Sequence, residues 1–230
     1  MTELTLREAL ERVFKYHREA CPEIRLTSDR LHRSVWMNGE AIPLFSYRTN
    51  PKIEGMKSLE LLGSPCALTV SSVGNDSLEQ ILFRELDVAE YLLGAETDHI
   101  TAYRSGDSAN LIVGYRNQTT AHMQLHSSPY GERQFRHELF TTEGMVCNRV
   151  VDTVIAQNAM NIYTERGYEY YTDADILLYG LKPIEQEEVY GIYDSFHANP
   201  QALIARGQRL ERIVDAAFSL NRTCHTGEDF

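Results

Sequence analysis

No two of the fourteen glycines stand one residue apart, so the chain has neither the Gly-x-Gly-x-x-Gly turn of dinucleotide-binding folds nor a phosphate loop. Catalysis with a nucleotide bound by this chain alone is therefore not expected. Cysteine is scarce and scattered: Cys21, Cys66, Cys147 and Cys224 include no Cys-x-x-Cys pair. That spacing excludes a zinc ribbon and reads as free thiols in a reducing compartment. His-Glu-x-x-His and Gly-x-Ser-x-Gly are missing, which removes the commonest metalloprotease and α/β-hydrolase sites. Positive charge is short as well, with 22 Lys and Arg against 33 Asp and Glu, a net charge of −11. The densest basic patch, Arg206 to Arg212, is interrupted by Glu211, so a nucleic-acid partner is not expected. No apolar run approaches the ~18 residues of a membrane span, and "MTELTLREAL" lacks the apolar core of a signal peptide. These absences point to a cytoplasmic protein without a membrane partner.

What is present suits a globular chain. Of 230 residues, 43% are apolar and 24% charged, enough to form one large domain or two small ones. Such a chain buries roughly 70% of its unfolded surface and needs no disulfide or metal to hold it together.

The pattern opens with "TLREALERVFKYHREA", where Thr5 and Glu8 have capping-box spacing and Leu6, Leu10, Val13 and Phe14 form one face. A helix over about 6–19 is expected. In "HRSVWMNGEAIPLFSY" the Asn38-Gly39 pair favours a type I′ turn, hence a β-hairpin. "CALTVSS" reads as a buried strand entering the helix "SLEQILFRELDVAEYLLGAE". There Leu78, Leu82, Leu86, Ala89 and Leu93 are widened by Ile81, Val88 and Leu92 into an arc suited to a helix clamped on a sheet.

From Asp98 to about Thr172 short strands alternate with hairpin-length polar turns, an antiparallel meander. "TTAHMQLHS" alternates cleanly, with Ala121, Met123 and Leu125 on one side and Thr120, His122, Gln124 and His126 on the other. One face of this sheet is expected to lie on helices and the other to stay open. Two helices close the chain, one beginning near Pro183 and one capped by Asn199 before Pro200. The fold class is α+β, with residues 1–60 a helix-and-hairpin extension and residues 61–230 the main domain.

The chemistry candidates are few. His122 and His126 share a strand face about 13 Å apart and cannot chelate one metal together without a bend. They and Gln124 are candidates for a substrate or subunit contact. His137 reads as a hydrogen-bonded core histidine, and His32 has no neighbour in sequence that singles it out. On the central helix Gln80, Arg84, Asp87 and Tyr91 make a polar stripe. From spacing alone, Arg84 and Asp87 are an i,i+3 ion pair on a helix surface.

The segment "ELDVAEYLLGAETDHITAYRSGD" resembles the glucose–fructose oxidoreductase and inositol dehydrogenase family, just after its nucleotide domain. There a helix carrying His-x-x-Asp and ending in Leu-Leu-Gly leads into the first long strand of the second domain. "LIVGYRNQTTAHMQLH", "HELFTTEGMVCNRVVD" and the two closing helices continue the resemblance over about 70–227. It implies a large, mostly antiparallel sheet with helices on one face and an open face used for homo-oligomers. The family's Rossmann domain and its Glu-Lys-Pro lysine have no counterpart in residues 1–60. The family's histidine falls on Arg84, which cannot act as a general base near neutrality, while its aspartate is kept as Asp87. Arg84 could instead hold an anionic group bidentately.

The resemblance thus implies an oxidoreductase-related subunit for a sugar- or polyol-like small molecule. Asp87 takes the catalytic position, and Gln80, Arg84, Tyr91, His122, Gln124 and His126 the substrate-binding ones. NAD(P) would be reached only through a separate Rossmann-domain chain. The alternatives are a non-catalytic, self-associating binding or scaffold protein and a cofactor-independent isomerase or lyase.

Overall fold

The computed structural model describes residues 5–58, 63–130, 133–148, 159–164, 167–172, 178, 181, 183–220 and 223–225. Helix α1, Leu6–Tyr16, starts at a complete capping box: the Thr5 hydroxyl accepts from the Glu8 N–H while the Glu8 carboxylate accepts from the Thr5 N–H. It ends earlier than the apolar pattern suggests. Arg18 turns left-handed at φ 63°, and the Glu19 N–H returns to the Phe14 carbonyl as a Schellman cap. Strands β1 (Leu26–Ser28), β2 (Arg33–Met37) and β3 (Glu40–Pro43) form a small sheet in that order. Asn38 and Gly39 link β2 to β3 with φ of 51° and 87°, the left-handed pair a type I′ turn requires. A 3-10 turn, Ser46–Thr49, and α2, Pro51–Ser58, follow.

The large sheet begins with β4, Pro65–Gly74. Helix α3, Leu78–Leu93, is bracketed by the Ser77–Gln80 capping box and by Gly94, left-handed at φ 70°. Then come β5 (Thr97–Ser105), β6 (Ser108–Tyr115), β7 (Thr120–Ser127), β8 (Gln134–Thr141), β9 (Gly144–Cys147), β10 (Ala159–Thr164) and β11 (Gly167–Thr172). Helices α4, Pro183–His197, and α5, Pro200–Leu220, precede β12, Thr223–His225. The strand order is β11-β10-β9-β8-β4-β7-β6-β5-β12. The meander is interrupted: β4 inserts between β8 and β7, and its pairing with β7 is parallel. The stretch 149–158, where the sequence extends the strand "GMVCNRVV", lies outside the described residues.

The alternation in β7 does what period two requires. Ala121, Met123 and Leu125 join Leu68 and Val70 of β4 and Leu111 and Val113 of β6 in the core beneath α3, whereas Thr120, His122, Gln124 and His126 are exposed on the far face. A second core unites α1 and the small sheet (Leu10, Phe14, Val35, Ile42) with Val189 and Ile192 of α4. Residues of α1 and the small sheet are therefore packed into the closing helices and share a core with them. Among the described residues, no helix is long and apolar enough to cross a membrane.

Candidate functional site

The N-terminal turns of α3 face a cleft of about 440 Å³, bounded by the loop around Asp29–Arg33, by Tyr47 and by the start of α4. Gln80 and Arg84 both line it. Gln80 is partly engaged, its Oε1 accepting the Ser77 N–H at 3.0 Å. Arg84 forms a buried floor, 2% exposed, and spends its guanidinium on three partners: Glu85 Oε1 at 3.0 Å, Asp76 Oδ2 at 3.2 Å and Ser72 Oγ at 2.8 Å. Burial opposes its charge, but Glu85 and Tyr47 together outweigh burial and hold Arg84 protonated beyond the usual arginine range.

Arg133 comes from the β8 side of the cleft, its guanidinium 4.1 Å from the Tyr47 ring and 4.7 Å from Phe135. Its Nη1 donates to Glu187 Oε2 at 2.9 Å, while its Nε is shielded from water and has no partner among the described residues. An unpaired buried N–H of this kind is costly unless something accepts from it.

Behind Arg84 lies a polar chain closed to solvent. Glu85 Oε2 is 2.7 Å from His137 Nε2. Asn148 clamps the histidine twice, with Oδ1 accepting the His137 backbone N–H at 2.7 Å and Nδ2 at 3.1 Å from Nδ1. Because the amide nitrogen can only donate, Nδ1 accepts and the ring proton sits on Nε2, pointing at Glu85. Burial alone would push the Glu85 carboxyl up. His137 and Arg84 outweigh it and hold Glu85 well below the usual carboxylate range.

Asp87 faces away from the cleft. The i,i+3 pair expected from spacing does not form, because packing gives both residues nearer partners. Arg48 grips Asp87 with Nε at 2.8 Å and Nη2 at 2.5 Å, and Arg206 of α5 adds a bond at 2.7 Å. Arg209 binds Glu90 through both terminal nitrogens, at 2.7 and 2.5 Å. The basic patch of α5 is thus turned inward onto α3. Burial drives the Asp87 carboxyl up to about 6 despite Arg48, with Glu90 adding to the rise. Tyr91 is half-buried under Arg48 and Lys57, whose cationic groups lie 5.4 and 5.8 Å from its ring.

The stripe therefore divides, Gln80 and Arg84 toward the cleft and Asp87 and Tyr91 toward a separate ionic cluster. His122, Gln124 and His126 join neither, since they stand on the open face of the sheet; His126 Nδ1 meets Ser108 Oγ at 2.9 Å. Sequence reasoning missed Tyr47, Arg133 and Glu188 at the cleft. No local pattern marks them, because the fold brings them together from three distant segments.

The turn from β4 into α3 is where a strand-to-helix fold would cradle a pyrophosphate. Here it carries the carboxylate of Asp76, and the reciprocal Ser77–Gln80 bonds already take backbone N–H groups at the helix start. These residues do not fit a dinucleotide.

Neither a protein-family model nor a curated protein matches the sequence. Solved structures do match. An oxidoreductase from Agrobacterium radiobacter, in complex with NAD+, L-tartaric acid and magnesium, is similar over 83% of this chain and 66% of its own, with a TM-score of 0.59 and 16% identity. A putative myo-inositol dehydrogenase from Sinorhizobium meliloti matches over 80% of this chain and 65% of its own, with a TM-score of 0.57 and 16% identity. A levoglucosan dehydrogenase complexed with NADH and levoglucosan gives 80% and 65%, with a TM-score of 0.62 and 13% identity. The chain spans about two thirds of the length of these proteins. At such identities the likeness is one of fold. That fold is the one found in oxidoreductases of the type the sequence resembles.

Proposed function

We propose that this chain is an oxidoreductase-related subunit whose cleft binds a small sugar- or polyol-like molecule, with a separate Rossmann-type chain supplying NAD(P). The observation that carries the reading is the cleft itself. It sits at the head of the helix that resembles the family's catalytic helix, and aromatic rings and fixed hydrogen-bonding groups line it. Gln80 and Arg84 are the ligand-facing residues in this reading. Asp87, both of whose oxygens are held by arginines, acts from behind by fixing α3 against α5. The open sheet face, with His122, Gln124 and His126, serves contact between copies in a homo-oligomer, because two-fold pairing is the commonest way to cover such a surface.

Affinity purification of the full chain from its native cells, with mass spectrometry of co-eluting proteins and small molecules, tests this. Recovery of a nucleotide-binding chain supports the split enzyme. Tight NAD(P) binding by the pure chain alone overturns it. A second reading, a self-associating binding protein without catalysis, is favoured by one feature. Arginine replaces the family's histidine at position 84, and its guanidinium is committed to Glu85, Asp76 and Ser72. Recovery of the homo-oligomer with a bound small molecule and no second chain selects that reading.

A further inference from the structure

Two carboxylates converge on His32, one from its own loop and one brought by the fold. Asp29 belongs to the same loop, and Glu211 arrives from α5. The ligand atoms of the three side chains all lie within 4.8 Å of one another. His32 Nε2 is 3.3 Å from Asp29 Oδ2 and 2.9 Å from Glu211 Oε1. Donors held about 2.1 Å from a zinc-like ion stand about 3 to 3.5 Å apart, so these spacings already approximate a coordination shell.

Two of the three groups are fixed by contacts outside the site itself. The imidazole is 7% exposed and lies 4.9 Å from the Phe83 ring. Its rear nitrogen, Nδ1, is 3.3 Å from the Arg33 carbonyl and 3.2 Å from Ser34 Oγ. A carbonyl can only accept, so this contact places a proton on Nδ1 and aims Nε2 between two carboxylates. A cation seated there takes the place of a hydrogen bond from Nε2 to Glu211. Metal-ligating histidines are oriented in this way, the far nitrogen donating to a backbone carbonyl or its equivalent. Asp29 is anchored through its other oxygen, Oδ1, which accepts the Leu31 and His32 N–H groups at 2.8 and 2.9 Å and leaves Oδ2 for the ion. The cations beside Asp29 and His32 in sequence are engaged elsewhere, Arg30 with Asp215 and Arg33 with Glu188.

We propose that Asp29, His32 and Glu211 form a binding site for a first-row divalent metal ion of the zinc or manganese type. One imidazole nitrogen with two carboxylate oxygens selects that class over calcium or magnesium, which prefer all-oxygen shells, and over copper(I), which seeks sulfur. Asp29 and His32 also line the 440 Å³ cleft, so the ion sits at its rim, within reach of an oxygen-rich ligand. The site stands on these three side chains whatever the reaction of the chain.

The test is isothermal titration of the full chain, stripped with chelator, with zinc chloride and with manganese chloride, alongside thermal unfolding. The wild type is expected to take up one equivalent of at least one of the two ions and to melt at a higher temperature with it. Glu211→Gln and Asp29→Asn, which keep shape while removing charge, are each expected to weaken binding by at least about tenfold and to lose the thermal shift. Asp29→Asn retains the oxygen that caps the loop, and Glu211 is partly exposed on a helix, so Glu211→Gln carries the test even if the loop variant folds poorly. His122→Ala and His126→Ala are expected to leave the stoichiometry unchanged. Absence of saturable binding of either ion, wild-type affinity in both carboxylate variants, or loss of the equivalent in the His122 or His126 variants would overturn the proposal.

Discussion

Glu85 and Asp87 lie two residues apart on one helix, each 1% exposed and each bonded to guanidinium groups, yet their acidities move in opposite directions. Glu85 is held low by His137 and Arg84, partners as deeply buried as itself, at 1% and 2% exposure. Asp87 is driven up by burial, and the repulsion of Glu90 adds to it. Its arginines are shared, since Arg206 also reaches Glu90 at 3.2 Å, and both Arg48 and Arg206 keep 24% of their side chains in solvent. The number of hydrogen bonds does not distinguish the two sites. What differs is whether the opposite charge is as deeply buried as the carboxylate or keeps part of itself in water.

The largest expected effect tests that distinction directly. Glu85→Ala takes from His137 its acceptor and from Arg84 its most deeply buried charged partner, and is expected to cost about 3–5 kcal/mol. Asp87→Ala leaves Arg48 and Arg206 able to turn their exposed portions to water, and is expected to cost about 1.5–3 kcal/mol. Urea unfolding of both variants measures the gap. Equal losses, or a larger one at Asp87, would break the comparison.

The pH dependence of stability sharpens it with a smaller effect. Asp87 titrates near 6 in the folded chain and near 3.9 unfolded, so between those values the native state binds the extra proton. Its contribution therefore rises as pH falls through 6 and is lost as pH climbs back, by on the order of 2–3 kcal/mol. Glu54, Glu188 and Asp194, also raised by burial, work in the same sense. Glu85 has the opposite sign: its stabilisation is complete above about 4.3 and is lost as pH falls further toward its depressed folded value. Denaturation midpoints from pH 3 to 8 are expected to climb from pH 7 to about 5 and drop steeply below about 4. Asp87→Asn is expected to shrink the climb, and Glu85→Gln the drop. An unchanged climb in Asp87→Asn would show that Asp87 is an ordinary ionised partner of Arg48.

Much of the frame that presents these residues is legible in the sequence. Ser77 and Gly94 mark the ends of α3, the broad apolar arc announces a clamped helix, and the alternation in β7 separates a covered face from an open one. The partners are not legible. Spacing joins Arg84 to Asp87, but Asp87 takes Arg48 and Arg206, 39 and 119 residues away, because the packing of α5 on α3 decides that match. For the same reason nothing in the Arg206–Arg212 patch tells that two of its arginines point inward. A meander reading places neighbouring strands side by side and does not foresee β4 inserting between β7 and β8. That insertion puts Ser72 within 2.8 Å of the Arg84 guanidinium. Local pattern records capping and periodicity; it carries nothing about which distant charge fills a buried site.

The smallest effect belongs to the opposite side of the same sheet, where polar groups meet water in place of a helix. His122 and Gln124 are exposed on β7, and neither neutralises a buried charge. His122→Ala and Gln124→Ala are therefore expected to change the stability of the single chain by less than about 0.5 kcal/mol. Pairing of two copies through this face would give these substitutions a separate signature. The mass from light scattering falls toward that of one chain, and the melting temperature loses its dependence on protein concentration. A change above about 1 kcal/mol that is independent of concentration would place His122 and Gln124 among the structural contacts of the chain. The contrast between the two faces would then fail, and with it the proposal that the open face exists to meet a second copy.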